Sequence, residues 1–169
     1  MTRDAVSQYL IGDHERLDTL LARAEADGDG IDLEAYGEFR RGLLRHIGME
    51  EKILLPAARR ARGGEPLPAA ALLRLDHGAL VALLVPRPTR TILAAIRAIL
   101  ATHNRIEEGP GGVYETCARL AGAGLDELLA ELRAAPEVPV SAPVDDERAV
   151  MAARRALARA GYDPAGMGI

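Results

Sequence analysis

The chain has 169 residues, a formal net charge of −4 and 49% hydrophobic residues. That is the length of one domain with ample core material, which excludes a chain disordered throughout. Mild acidity and an aromatic content of 3% exclude a basic nucleic-acid surface or a platform of rings for stacking bases. The single cysteine, Cys117, excludes an internal disulfide framework and an all-cysteine zinc site, and it fits a reducing compartment. The amino-terminal stretch is too polar for a secretory core, and no apolar run reaches the length of a membrane span. A cytoplasmic protein with neither membrane nor nucleic-acid partners is therefore expected.

The hydrophobic pattern is helical throughout, without period-two alternation. A first helix is predicted from about Asp4 to Ala26, ending at the turn Asp27-Gly28-Asp29-Gly30. A second runs from about Leu33 to Arg62, with a kink expected where Pro56 frees a carbonyl, and stops at Gly63-Gly64. Pro68 and the alanines after it open a third, to about Val85, and Thr89 is the N-cap of a fourth, to about Glu108. The Gly109-Pro110-Gly111-Gly112 break is followed by shorter helices at Val113–Leu120 and Leu125–Ala135. Pro136–Pro143 reads as extended linker, and Asp146–Ala160 as a last amphipathic helix. The predicted fold is all-α, an antiparallel up-down four-helix bundle with additional short C-terminal helices. In domain terms, 1–122 form the bundle, 123–135 an added helix, and 136–169 the proline-rich linker with its amphipathic helix. Val150, Met151, Leu157 and Ala158 give that helix an apolar stripe, expected to dock on its own bundle. A monomer or homodimer is expected.

The chemistry lies in a repeat that takes in all 4 histidines. Asp13-His14 on the first helix is followed by His46 with Glu50 and Glu51 on the second. Asp76-His77 on the third is followed by His103 with Glu107 and Glu108 on the fourth. Residues four apart share a helix face, so each second histidine points the same way as its glutamate. That way is inward: Phe39, Leu43, His46, Glu50 and Leu54 form one stripe, and Ile92, Ile96, Ile99, His103 and Glu107 another. His14 lies among Leu10, Leu17 and Leu21, and His77 among Leu73, Leu80 and Leu84. The levels agree as well. His14 stands about 18 Å of helical rise from the first turn and His46 about 20 Å from it. In the last hairpin the Pro86-Arg87-Pro88 segment has to climb about 9 Å, within reach of an extended chain.

Buried carboxylates have to pair or bind a metal. Four imidazoles and two carboxylates at one level make a mixed N/O site suited to iron, manganese or zinc rather than calcium. One zinc needs only four ligands, so six donors point to two ions. The natural division gives His14 and His46 to one ion and His77 and His103 to the other, with Glu50 and Glu107 spanning both. Ferritin-like Glu-x-x-His pairs, an HExxH helix and a CxxCH haem motif are all absent. Asp13 and Asp76 read either as groups orienting ligand histidines or as surface charges, Glu51 and Glu108 as solvated or outer groups. Tyr9, Tyr36 and Tyr114 are within reach of the centre but read better as packing residues, and Cys117 reads as a packed thiol.

These residues resemble the hemerythrin-like (HHE cation-binding) family, whose pattern is H…HxxxE…H…HxxxE on a four-helix bundle. The matching positions are His14, His46 with Glu50, His77, and His103 with Glu107, within about residues 5–115. The resemblance implies two non-haem iron ions, oxo- or hydroxo-bridged and spanned by the two glutamates, with manganese or zinc as alternatives. It implies a small diatomic ligand or peroxide as partner, in oxygen binding, sensing of oxygen, nitric oxide or peroxide, or iron handling. Two departures set the chain apart from the oxygen carriers. Leu73 stands where they have a second third-helix histidine, and Glu107 lies four rather than five residues after its histidine. Simple oxygen carriage is thereby disfavoured. The competing expectations are an enzyme consuming peroxide or nitric oxide, an iron storage or delivery protein, and a metal-free helical interaction module.

Overall fold

A computed structural model describes residues 4–26, 28 and 30–169. Residues 1–3 of the expected bundle segment, and Asp27 and Asp29 of the expected first turn, lie outside them. Four helix starts fall where short polar side chains take up free amides. Asp4 accepts from the Ser7 amide to begin α1 (Ala5–Glu25), and Asp32 from those of Glu34 and Ala35 to begin α2 (Leu33–Met49). The helix expected to run to Arg62 with a kink at Pro56 is instead divided. Glu50–Leu54 widen into a π turn, and α3 (Leu55–Ala61) follows with Pro56 in its first turn. Pro56 has no amide hydrogen, and its ring crowds the carbonyl four residues back. The wider turn relieves that clash, with the Leu55 amide reaching the Glu50 carbonyl.

Helix α4 (Ala70–Leu83) and α5 (Arg90–Glu108) complete the bundle, α5 starting at the expected Thr89 cap, which takes the Ile92 amide. The levelling segment Pro86–Pro88 is extended and secured from outside. The Arg87 amide donates to the Val144 carbonyl at 2.9 Å, and the Val144 amide to the Val85 carbonyl at 3.0 Å. Next come α6 (Val113–Ala121), a 3-10 turn at Gly122–Gly124 and α7 (Leu125–Arg133). The turn into α6 is tight. A Cβ on Gly112 would lie 2.6 Å from the Glu107 carbonyl oxygen and 2.7 Å from that of Gly109. Only glycine lets α6 fold straight back over the end of α5, and α6 brings Tyr114 with it.

The proline-rich stretch runs as non-helical chain back along the bundle, tied down by arginines. The buried Arg40 donates to the carbonyls of Leu84 and Ser141 at 3.0 and 2.8 Å, and Arg45 to those of Ala135 and Arg133, each at 3.1 Å. Helix α8 (Glu147–Arg159), capped by Asp146, then docks on α4 as expected, but by a shifted face. Of the expected stripe Leu157 is buried and Val150 half-buried, while Met151 and Ala158 are exposed and Ala153 and Ala156 pack in their place. Ala153 and Leu157 are fully buried.

Apolar burial falls into two blocks. One takes the second half of α1, most of α2, the end of α4, the first half of α5, and α8, around Leu21, Phe39, Leu83, Ile96 and Leu157. The other takes the start of α1, the π turn, α3, α6 and α7, around Leu10, Met49, Leu73, Val113 and Leu132. Between them lies a polar layer. Among the described residues no helix is long and apolar enough to cross a membrane.

Candidate metal centre

Each helix of the bundle supplies the polar layer where the sequence spacing puts it. His14 comes from α1, His46 from the last turn of α2, Glu50 from the π turn, His77 from α4, and His103 and Glu107 from α5. All six are buried, the most exposed being His14 at 6%. Their inward atoms converge in two groups, His14, His46, Glu50 and Glu107, and Glu50, His77, His103 and Glu107, each within 4.8 Å. The two glutamates belong to both groups, one oxygen to each. Glu50 Oε1 lies 3.3 Å from His46 Nε2 while its Oε2 lies 3.1 Å from His77 Nε2. Glu107 Oε2 lies 3.5 Å from His14 Nε2 while its Oε1 lies 3.1 Å from His103 Nε2. Glu50 Oε2 and Glu107 Oε1 are buried without a hydrogen bond. Buried carboxylate oxygens are rarely left so unless a cation completes them.

A carboxylate accepts on the outer side of every imidazole. His46 Nδ1 donates to Asp13 at 2.9 Å, His77 Nδ1 to Glu51 at 2.8 Å, His103 Nδ1 to Asp76 at 3.2 Å, and His14 Nδ1 to Glu108 at 2.5 Å. An ionised carboxylate only accepts, so the hydrogen sits on Nδ1 and Nε2 is aimed inward. These contacts form a closed ring. Each acid stands next to one inward donor in sequence and crosses to the histidine of the following helix, α1 to α2, the π turn to α4, α4 to α5 and α5 back to α1. Asp76 also accepts from the Tyr162 hydroxyl at 2.8 Å, which ties the chain after α8 to the centre. Sequence alone left these four acids between surface and site. The usable signal was that each directly flanks an inward His or Glu. Asp13→Ala is expected to weaken metal binding about 10–100-fold by freeing the His46 ring. Chelator competition on the purified variant checks this.

Tyr114 corrects the expectation that it merely packs. Its hydroxyl donates to Glu50 Oε1 at 2.6 Å and lies 3.1 Å from Glu107 Oε2, 3.1 Å from His14 Nε2 and 3.3 Å from His46 Nε2. Sequence offered it only as one of three tyrosines within reach of the centre, and could not single it out, since it sits outside the repeat and after a turn. Tyr36 stays in the first apolar block beside Phe39, and Tyr9 lies under Arg133, as packing residues do. Cys117 is buried, and burial, helped by the charges of Glu50 and Glu107, pushes its thiol up to about 12. A thiol held protonated in this way is inert, as expected of a packed one.

Without a metal the centre balances its own charge. Burial opposes charging of His46 and His103, but Glu50 with Asp13 at one and Asp76 with Glu107 at the other win and raise each to about 10. Burial likewise would raise Glu50, yet His46 and His77 beside it hold it well below 4.5. Glu107 goes the other way, raised by burial and by the charge on Glu50 against the pull of His103 and His14. Two carboxylates at close quarters are thus pushed apart, with protons doing what a cation would do.

Residues 5–159 match the family model of the hemerythrin HHE cation-binding domain. The chain belongs to this family. The match runs past the motif-bearing stretch to take in α6, α7 and α8. No curated protein and no solved structure is matched. HHE domains bind cations, and the two buried His/Glu groups of this one are placed to do so. In this HHE domain Leu73 is buried in the second apolar block and offers no donor.

Proposed function

We propose that this HHE domain holds two non-haem iron ions, one between His14 and His46 and one between His77 and His103, spanned by Glu50 and Glu107. The reading extends to function: the centre binds or senses oxygen, nitric oxide or peroxide. The observation that carries it is the sharing of both carboxylates, one oxygen of each facing each histidine pair. The donor set of imidazole nitrogen and carboxylate oxygen suits iron, and four such donors per ion leave positions for a small exogenous ligand. A cleft of about 290 Å³ between α1 and α5, lined by His14, Asn104 and Glu108, offers a way to the layer from outside. When bound, the ions supply Lewis acidity and redox change. The chain supplies the aim of the imidazoles, charge balance and the exclusion of bulk water. The metal-free module is disfavoured by the convergence of four imidazoles and two shared carboxylates in one buried layer, a donor set that packing does not require.

The test is metal content of protein purified without added metal, with optical spectra before and after reduction and after exposure to oxygen, nitric oxide and peroxide. About two irons per chain, with a spectrum that answers to one of the three, is expected. A chain that takes up no iron after anaerobic reconstitution rules the reading out, and steady consumption of peroxide or nitric oxide would make the protein an enzyme instead.

A further inference from the structure

The two halves of the centre are not equivalent. The His77/His103 half has four protein donors, and the side chain one turn before His77 is the apolar Leu73. The His14/His46 half has the same four kinds of donor and, in addition, the Tyr114 oxygen in contact with every one of them. The spacings say what that oxygen is placed to do. With donor–ion distances of about 2.0–2.2 Å, adjacent donors in one coordination shell stand about 3 Å apart, whereas the ion itself stands about 2 Å from each. Tyr114 Oη lies between 2.6 and 3.3 Å from all four donors, the spacing of a fifth donor capping the other four. Its ring has nowhere else to go. Tyr114 is 1% exposed, with Val113 and Cys117 of the same helix buried around it, and the α6 backbone is held over the end of α5 by the Gly112 turn.

We propose that Tyr114 is a protein ligand of the ion held by His14 and His46, its phenol oxygen bonding the metal and its proton passing to solvent as the bond forms. The proposal rests on the di-iron reading and adds to it an asymmetry. One ion has five protein donors and the other four, so the positions left for an exogenous ligand lie chiefly at the His77/His103 ion.

The experiment is resonance Raman and visible absorption of the full-length Fe(III)-loaded protein, grown with and without ring-deuterated tyrosine, beside the Tyr114→Phe variant. Expected are a phenolate-to-Fe(III) charge-transfer band, tyrosine ring modes enhanced within it that shift on deuteration, and loss of both in Tyr114→Phe at unchanged iron per chain. Iron-loaded protein without deuteration-sensitive modes overturns the proposal and leaves the di-iron reading standing. A band that survives in Tyr114→Phe also overturns it. Failure of the wild-type chain to take up iron overturns both. Should the variant not fold, the deuteration shift in the wild-type protein still decides.

Discussion

Glu50→Gln is expected to disable both halves of the centre at once, whereas His77→Ala disables one. The asymmetry follows from which atoms each residue offers. His77 turns a single nitrogen toward the His103 half, while Glu50 gives Oε1 to His46 and Tyr114 and Oε2 to His77. Glutamine keeps the shape but turns one of those oxygens into an N–H donor, which repels an ion on its side and removes the negative charge shared by both. Metal content should fall from about two ions per chain to a small fraction of one, against about one in His77→Ala. The metal-free variant should be weakened as well, because the buried imidazoles of His46 and His77 lose the counter-charge beside them. Removing one partner of a buried pair costs about 3–5 kcal/mol. Metal analysis, with circular dichroism to establish folding, checks the first effect, and denaturant unfolding in chelator the second. An even loss in both variants would mean that the ions bind only as a pair.

Stripping the metal is expected to lower Tm by about 20 °C at neutral pH. Two ions, each present at a thousand times its Kd, contribute about 8 kcal/mol together, and a chain of this size gains about 2–4 °C per kcal/mol. The stripped protein should then acquire a pH dependence that the loaded protein lacks. His46 and His103, raised from 6.5 to about 10, bind more protons folded than unfolded. Their contribution is complete below pH 6.5 and is lost as pH rises toward 10. Glu107, also raised, has the same sign. On the acid side, Glu50 sits below 4.5 and Asp13 near 2, despite the opposing effect of burial, because of their histidine partners. Their contribution is complete above the ordinary carboxylate range and is lost as pH falls. The stripped protein should therefore be most stable near pH 6 and melt lower at pH 9.5. In the loaded protein the ions keep the inward nitrogens free of protons, and this alkaline loss should vanish. Thermal unfolding at both pH values, with and without chelator, reads the difference directly.

Both effects come from residues that are legible in sequence, because what makes them a site is local. Helical repeat alone dictates that His46 and Glu50, or His103 and Glu107, share a face. The apolar neighbours at the same phase dictate that the face is inward. Caps at Asp32, Thr89 and Asp146 are likewise local, each a short polar side chain reaching an amide two or three residues on. The break after Glu50 was less legible. Pro56 announces a disturbance, but only packing decides between a kink and the π turn that the chain adopts.

The orienting acids and Tyr114 were decided by tertiary structure. Glu51 and Glu108 lie about 100° round from Glu50 and Glu107. At that angle a side chain faces either water or the neighbouring helix, depending on where that helix is. In this bundle the neighbour's histidine is there, and the carboxylates meet His77 and His14. Tyr114 depends on a turn rather than a period, since its place follows from Gly112 letting α6 double back over Glu107. The sequence by itself therefore determined the bundle and the six inward donors, through periodicities within single helices. Only the tertiary structure decided which acid aims which imidazole and which half of the centre receives a phenol. Those depend on distances between helices, which no spacing along one helix contains.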